Sequence, residues 1–366
     1  MRALALLLLA VLLSGCPAKR VEPTLPLEQR RMAIKSFNQG VRLLQGRGAN
    51  YYEAVGHFEA AVGLDPDFYQ AHFNLGLLFA RGGDFARSQA AYLAALKVKP
   101  KDRAASFNLA QLYLEHKRYE AAVAILARFV EQDPADHDAR NNLAVLFRMK
   151  GKYQDAIDQA RYVLDRKPEE VLAYNNLATI FSEQRRHEMA QDLFRRALKL
   201  EPDNPRVLNN LGLAHLNADR VQEALEHFLK AYGKNKRLEE PGLNAASVYM
   251  DSADYGRAAA MYKRIVAYIP GFLPALVGHA VAVRGLGKYQ DAEQSYQQIL
   301  GLDRTNPETL FNLGLLYMNF REKPKWACEA FKRYLKSGRT TPELEKKAKG
   351  FMEDIKLSNP KACGGS

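Results

Sequence analysis

Apolar and small residues along this 366-residue chain keep helical spacing, and the pattern restarts every 34 residues. An alanine or glycine eight residues into each helical stretch marks the register: Gly76, Ala110, Ala144, Ala178, Gly212, Ala246, Ala280 and Gly314. A second small series, Ser88, Ala122, Ala156, Ala190, Ala224, Ala258 and Ala292, takes the same step. Pro66, Pro100, Pro134, Pro168, Pro202 and Pro270 repeat with it, and Gly-Lys-Tyr-Gln-Asp-Ala at 151–156 returns at 287–292, four periods on. Each unit therefore reads as two helices, A and B, whose small residues face each other, and such units predict a stacked solenoid. Proline is tolerated in the first turn of a helix and not in its interior, so it is expected to reset the chain between hairpins.

Within Tyr69 to Asp102, the residues His72-Phe73-Asn74-Leu75-Gly76, Phe79, Gly83-Asp84-Phe85, Ser88, Tyr92, Ala95 and Pro100 resemble the tetratricopeptide repeat. The resemblance runs over about residues 32 to 340 and implies an all-α, right-handed superhelical solenoid of about nine helix hairpins. Its departures are His215 and Val283 at the aromatic position, Gly278 in place of asparagine, and Lys236 and Arg304 in place of proline. Thr341-Pro342-Glu343 reads as cap, first-turn proline and acidic first turn of one more helix. Leu344, Ala348, Phe351, Met352 and Ile355 give that helix an apolar stripe, so 341–357 is expected to cap the end of the stack. Ser358 to Ser366, with Pro360 and Gly364-Gly365, reads as a frayed tail.

At the start, Arg2 precedes an apolar run from Ala3 to Leu13 and then Leu13-Ser14-Gly15-Cys16. The run is too short for a membrane span, which needs about 20 residues, and suits a secretory signal over 1–15. Its end resembles the bacterial lipobox, which implies that Cys16 becomes an acylated N-terminus, permanently anchored by several chains. Pro17 is not the aspartate of inner-membrane lipoproteins, so the resemblance implies an outer membrane site facing the periplasm. Residues 16–31, with Pro17, Pro23 and Pro26, read as a tether, whose fourteen residues from Pro17 to Arg30 span at most about 50 Å.

Lys and Arg number 53 against 41 Asp and Glu, a formal net charge of +12. A basic surface suits phosphate-bearing lipid or envelope polymer, whereas cations near the ends of B helices (Lys97, Lys99, Arg166, Lys167, Lys199, Lys230, Lys234) also complement the helix dipole without any ligand. Of the three cysteines, Cys16 is the lipid site; Cys328 and Cys363 either pair in an oxidising envelope or leave Cys328 as a small core residue. The eight histidines are scattered, with His215 read as a hydrogen-bonded core residue. No metal spacing, phosphate loop or nucleophile elbow is present, so no enzyme activity, cofactor or metal is expected, and no nucleic acid partner. Trp326 reads as either an interface anchor or terminal packing.

One polar series keeps the period: Asn74, Asn108, Asn142, Asn176, Asn210 and Asn244, resuming at Asn312. Each lies two residues before the small residue of helix A, about 200° around the helix from the contact with helix B, hence toward an inner groove. The resemblance implies that such amides grip the backbone of an extended peptide, since an amide both donates and accepts; the alternative is that they satisfy neighbouring backbone. The expected function is a membrane-anchored adaptor that binds protein partners and assists a multiprotein envelope machine of secretin-pilus, barrel-assembly or gliding-motility type. The alternative is a basic-surface binder of envelope polymer or lipid phosphate.

Overall fold

The computed structural model describes residues 25–45 and 50–364. Cys16, the apolar run before it and most of the expected tether lie outside the described residues. Among the described residues every regular element is an α-helix, and no helix is long and apolar enough to cross a membrane. The chain divides into two compact units, residues 1–146 and 147–366. The first holds α1 (Leu27–Leu44), α2 (Tyr51–Leu64), α3 (Tyr69–Arg81), α4 (Phe85–Val98), α5 (Arg103–Glu115), α6 (Tyr119–Gln132) and most of α7 (His137–Met149). The second holds the end of α7, then α8 (Tyr153–Arg166), α9 (Val171–Glu183), α10 (His187–Leu200), α11 (Pro205–Leu216), α12 (Val221–Lys234), α13 (Glu239–Asp251), α14 (Tyr255–Tyr268), α15 (Leu273–Gly285), α16 (Tyr289–Leu302), α17 (Pro307–Asn319), α18 (Pro324–Lys336) and α19 (Pro342–Ser358). Odd-numbered helices up to α17 are A helices and even-numbered ones are B helices.

Side-chain caps start several of the helices in register with the period. Asp84, Asp102, Asn204, Asp254 and Asn306 cap the following helices by accepting a backbone N–H from the first turn, which satisfies donors the helix itself cannot. From the hairpin of α3 and α4 onward, the turn inside each hairpin passes through one left-handed residue: Gly83, Gly151 and Gly287 in some hairpins, and Lys117, Arg185, Asp219, Ala253 and Glu322 in others. The repeating prolines sit differently from expectation. Pro66, Pro100, Pro134, Pro168 and Pro202 lie two residues past the end of a B helix, in the turn between hairpins, where a residue that cannot extend the helix stops it. Prolines at the first or second helical position are instead Pro205, Pro274, Pro307, Pro324 and Pro342.

The two small series meet inside each hairpin. Ser88, Ala122, Ala156, Ala190, Ala224, Ala258 and Ala292 are all fully buried, and Ser88 Oγ donates to the Gly76 carbonyl at 2.9 Å. At Gly76 and Gly212 the reason for glycine is a ring from helix B: a Cβ there would stand 2.6 Å from Tyr92 or Phe228. The gap in the asparagine series has the same cause, because a Cβ at Gly278 would meet the Tyr262 ring at 2.4 Å. Successive A helices also touch, α3 with α5 in the first unit and α9 with α11 and α15 with α17 in the second. Each stack therefore turns a wall of A helices to its inner side.

Both ends depart from the sequence reading. The tether expected to reach residue 31 gives way to helix at Leu27, with Pro26 just ahead of the first turn and Glu28 within it, an arrangement helices favour. The tail expected to fray is held: Cys363 forms a disulfide with Cys328 of α18, Ala362 and Cys363 are buried, and Lys332 Nζ donates to the Cys363 carbonyl at 3.2 Å. Inside this loop α19 lays Leu344, Ala348, Phe351, Met352 and Ile355 against the core that contains Phe331 and Tyr334. The bond closes a separation of 35 residues, for which chain entropy gives about 3–4 kcal/mol. Reduction, or Cys363→Ser, is expected to lower the melting temperature and open α19 to proteolysis before the rest of the second unit. Equal melting and equal cleavage with and without reductant would show that α19 is held by packing alone.

Candidate functional site

The inner wall of A helices carries the asparagine series, and the two units use it differently. In the first unit the Asn74 and Asn142 side chains take no hydrogen bond among the described residues, and Asn142 is exposed. Asn108 donates Nδ2 to the Ala104 carbonyl of its own helix at 2.8 Å. Asn108 and Asn142 stand over a cavity of about 280 Å³ between α5 and α7, with Phe107, Ala110, Leu114, Leu126, Val145 and Leu146 as apolar lining and Gln111 at its edge. Val145 and Leu146, three and four positions past Asn142 on the same helix face, are apolar, and Leu126 of helix B adds to the lining. A concave apolar recess with a few convergent polar groups is what a binding site requires.

In the second unit the amides are spent on one another. Asn210 Nδ2 donates to Asn175 Oδ1 at 3.0 Å, and Asn244 Nδ2 donates to Asn209 Oδ1 at 2.9 Å. Each bond joins one A helix to the next, so the doubled asparagines 175–176 and 209–210 build a ladder that ties the wall together. Asn176 is buried and engaged. Asn312 donates Nδ2 to the Glu308 carbonyl at 2.9 Å and accepts Arg284 Nη1 at 3.1 Å. Arg148 pairs with Glu183 on the same wall. A peptide backbone approaching this wall finds donors already committed, whereas at Asn142 it finds a free donor and a free acceptor.

The cations read as helix-end charges are largely engaged nearby. Lys234 pairs with Asp203 at 2.7 Å and Lys167 with Glu170 at 2.5 Å. Lys99 lies over the Tyr69 ring and Arg166 over the Tyr162 ring. These contacts account for those charges without a polyanion. Trp326, by contrast, is 62% exposed, with its ring 6.0 Å from that of Tyr317, so packing in the terminal repeat does not bury it. Among the described residues no group of three or more His, Cys, Asp or Glu is placed to hold a metal ion.

The tetratricopeptide-repeat family model matches residues 43–87, 80–137, 118–171, 175–237, 243–307 and 277–342. Three solved structures are similar at low identity. A MamA protein is 23% identical over 47% of this chain and 94% of its own, with a TM-score of 0.39. PilW, a type IV pilus biogenesis factor, is 18% identical over 55% and 94%, with a TM-score of 0.44. A tetratricopeptide repeat protein from Parabacteroides merdae ATCC 43184 is 16% identical over 78% and 98%, with a TM-score of 0.42. No curated protein matches the chain.

Next to the amide ladder, His215 does not have the hydrogen-bonded setting expected of it. Its ring stacks on that of His227 with centroids 5.1 Å apart, and Nδ1 of each ring is buried without a partner among the described residues. Other hairpins place Phe79, Phe181 or Tyr249 where His215 stands. Burial pushes the pKa of both histidines down; Glu223 raises and Arg220 lowers that of His215, and His227 is lowered further by His215 and Lys230. A folded-state pKa below the unfolded value means that the neutral pair supports the fold above about pH 6.5 and that this support is lost as pH falls through that value. Melting of the second unit is expected to drop between pH 7 and pH 5, and to drop less in a His215→Phe, His227→Leu variant. Parallel pH dependence in the two proteins would contradict a role for the pair.

Proposed function

The chain belongs to the tetratricopeptide-repeat family, and on that premise we propose that it is a protein-interaction scaffold whose first unit grips an extended segment of a partner protein. The observation that carries this is Asn142, exposed and unpaired over an apolar recess that it shares with Asn108. Asn142 meets one peptide group of any sequence with both a donor and an acceptor, and the recess below takes an apolar side chain of the same segment. Specificity then comes from the anchor residue and affinity from the backbone contacts. The second unit, with its amides paired, serves as a stiff support. The reading involves no catalysis, cofactor or nucleic acid.

The setting of this scaffold is part of the proposal. Leu13-Ser14-Gly15-Cys16 suits export and acylation at Cys16, which anchors the protein at the cell envelope, in an outer membrane facing the periplasm. The disulfide between Cys328 and Cys363 supports a compartment where thiols are oxidised. Assembly or retention of a multiprotein envelope complex, such as a secretin-pilus, barrel-assembly or gliding machine, is the role we assign to it there.

The test uses a peptide selected on the full protein from a random library. Asn108→Ala with Asn142→Ala removes two hydrogen bonds of about 0.5–1.5 kcal/mol each, so affinity is expected to fall about 5- to 100-fold. Melting should hold, because both residues lie off the buried stripe and alanine favours helix. Asn175→Ala with Asn209→Ala should do the reverse, lowering stability while sparing affinity. Unchanged affinity in the first variant, or loss only in the second, would move the binding site off the first unit.

A further inference from the structure

Helices α4, α6, α8, α14 and α16 begin on an aromatic residue, Phe85, Tyr119, Tyr153, Tyr255 or Tyr289, and each of these rings is partly buried. In three of them the end of the following A helix supplies cover. His116 lies 4.5 Å from the Phe85 ring, Phe320 stacks on Tyr289 at 4.6 Å, and the Tyr255 ring leaves no room for a Cβ at Gly285. Helix α2 begins the same way, on Tyr51. At the end of α3, however, the place that His116 and Phe320 hold, six residues past the small residue of helix A, belongs to Gly82. Tyr51 is accordingly 50% exposed. Beside it opens a cavity of about 550 Å³, lined by Tyr51, Tyr52 and Val55 of α2 and by Leu78 and Phe79 of α3.

The fold does not require glycine at 82. Gly76 yields to a ring and Gly83 carries a φ of +74°, but a Cβ at Gly82 would meet nothing closer than the Leu78 carbonyl at 3.5 Å. Its φ of −78° and ψ of −2° are near those of His116, so the missing side chain serves only to leave Tyr51 uncovered. Tyr52, in turn, is 93% exposed where other B helices carry Glu120, Gln154, Glu188, Gln222 or Gln290. On the rim, Arg87 is committed to Asp84 at 2.5 Å and to the face of the Phe79 ring, whereas Arg81 takes no hydrogen bond or ion pair among the described residues. We propose that this recess is a second docking site, for an aromatic side chain with a neighbouring carboxylate on a partner protein. The incoming ring takes against Tyr51 the place that His116 and Phe320 fill in other hairpins, Tyr52 flanks it, and Arg81 meets the carboxylate. The volume is in the range of sites that bury most of a ring and its flanking backbone. The recess shares no lining residue with the one beneath Asn108 and Asn142, and the proposal stands without that site.

The test titrates the full chain with the peptide Gly-Ser-Asp-Trp-Ser-Gly, followed by saturation-transfer NMR, with melting measured on each variant. Leucine in place of the peptide's tryptophan should cost about two- to tenfold in affinity, the margin that stacking adds to burial. Asparagine in place of its aspartate should cost about two- to fivefold in the parent and nothing further in Arg81→Gln. Gly82→His restores the ring carried by the next hairpin, so it should abolish binding while the melting temperature holds or rises. A change that merely damaged the fold would lower both. Tyr52→Ser, at a side chain outside the core, should weaken binding roughly five- to tenfold with melting unchanged. No binding by the parent, equal affinity for the leucine peptide, or full binding in Gly82→His or Tyr52→Ser would each overturn the proposal. So would two other occupants: N-acetyltryptophanamide bound as tightly as the peptide would make this a small-molecule site, and a dimer of the parent that Gly82→His dissolves would give it to a second copy. Affinity for the selected groove peptide should be untouched by Gly82→His and Tyr52→Ser, so the two sites are read independently.

Discussion

The close approach of helix A to helix B at two small residues is the contact on which the rest depends. Where Ser88 Oγ reaches the Gly76 carbonyl, and where alanine stands fully buried at the equivalent positions of later hairpins, the backbones come near enough for a ring of helix B to lie against helix A. Tyr92 and Phe228 occupy space that a single added carbon would contest, so the spacing is set by packing and not by hydrogen bonds between the helices. Interiors packed to this density transmit small changes in volume. Each hairpin is therefore a rigid brick, and the surfaces it turns outward are held in fixed register with those of its neighbours.

That register is what could be read from the residues. A step of 34 in Gly76, Ala110, Ala144 and their successors specifies hairpins, their number and the face on which the asparagines fall, because helical periodicity converts sequence distance directly into angle. It does not specify what an amide on that face is bonded to. Where asparagines are doubled, at 175–176 and 209–210, the first member accepts from the asparagine of the periodic series on the following A helix, Asn210 or Asn244. The bond is made across a gap that depends on how far one hairpin is rotated on the next, which no single repeat encodes. The same holds for Gly278, whose lack of a side chain is dictated by Tyr262 of the preceding helix B.

The termini were misread for a related reason. Pro360 and the following glycines have the local composition of a loose tail, and local composition is all that a terminal segment displays. Cys363 is held by Cys328 and the carbonyl beside it by Lys332, contacts with a helix some thirty residues earlier. At the other end, Leu27 to Arg31 carry too many charges to read as a helix start, but the helix they begin is stabilised from below by Phe37 and Val41 in the core, so its outer side needs no apolar pattern. Tertiary burial of one face overrides the weak preferences of the other.

In a repeat array stability is nearly a sum over hairpins and their nearest neighbours, which changes how function shows itself. Framework residues recur, and a position that recurs says little about binding. The informative positions are those where the same residue type is paired in one hairpin and unpaired in another. Asn210 and Asn142 occupy the same place in the period, one engaged with Asn175 and the other open over an apolar recess. Lys99, Lys167 and Lys234 at the ends of B helices each find a carboxylate or a ring. Leaving a polar group unsatisfied or a large apolar group in water forgoes stabilisation that neighbouring repeats obtain. Because each hairpin is held by its own small-residue contact, such groups can remain unpaired without loosening the stack, and this separation lets one framework carry a peptide groove on its inner wall.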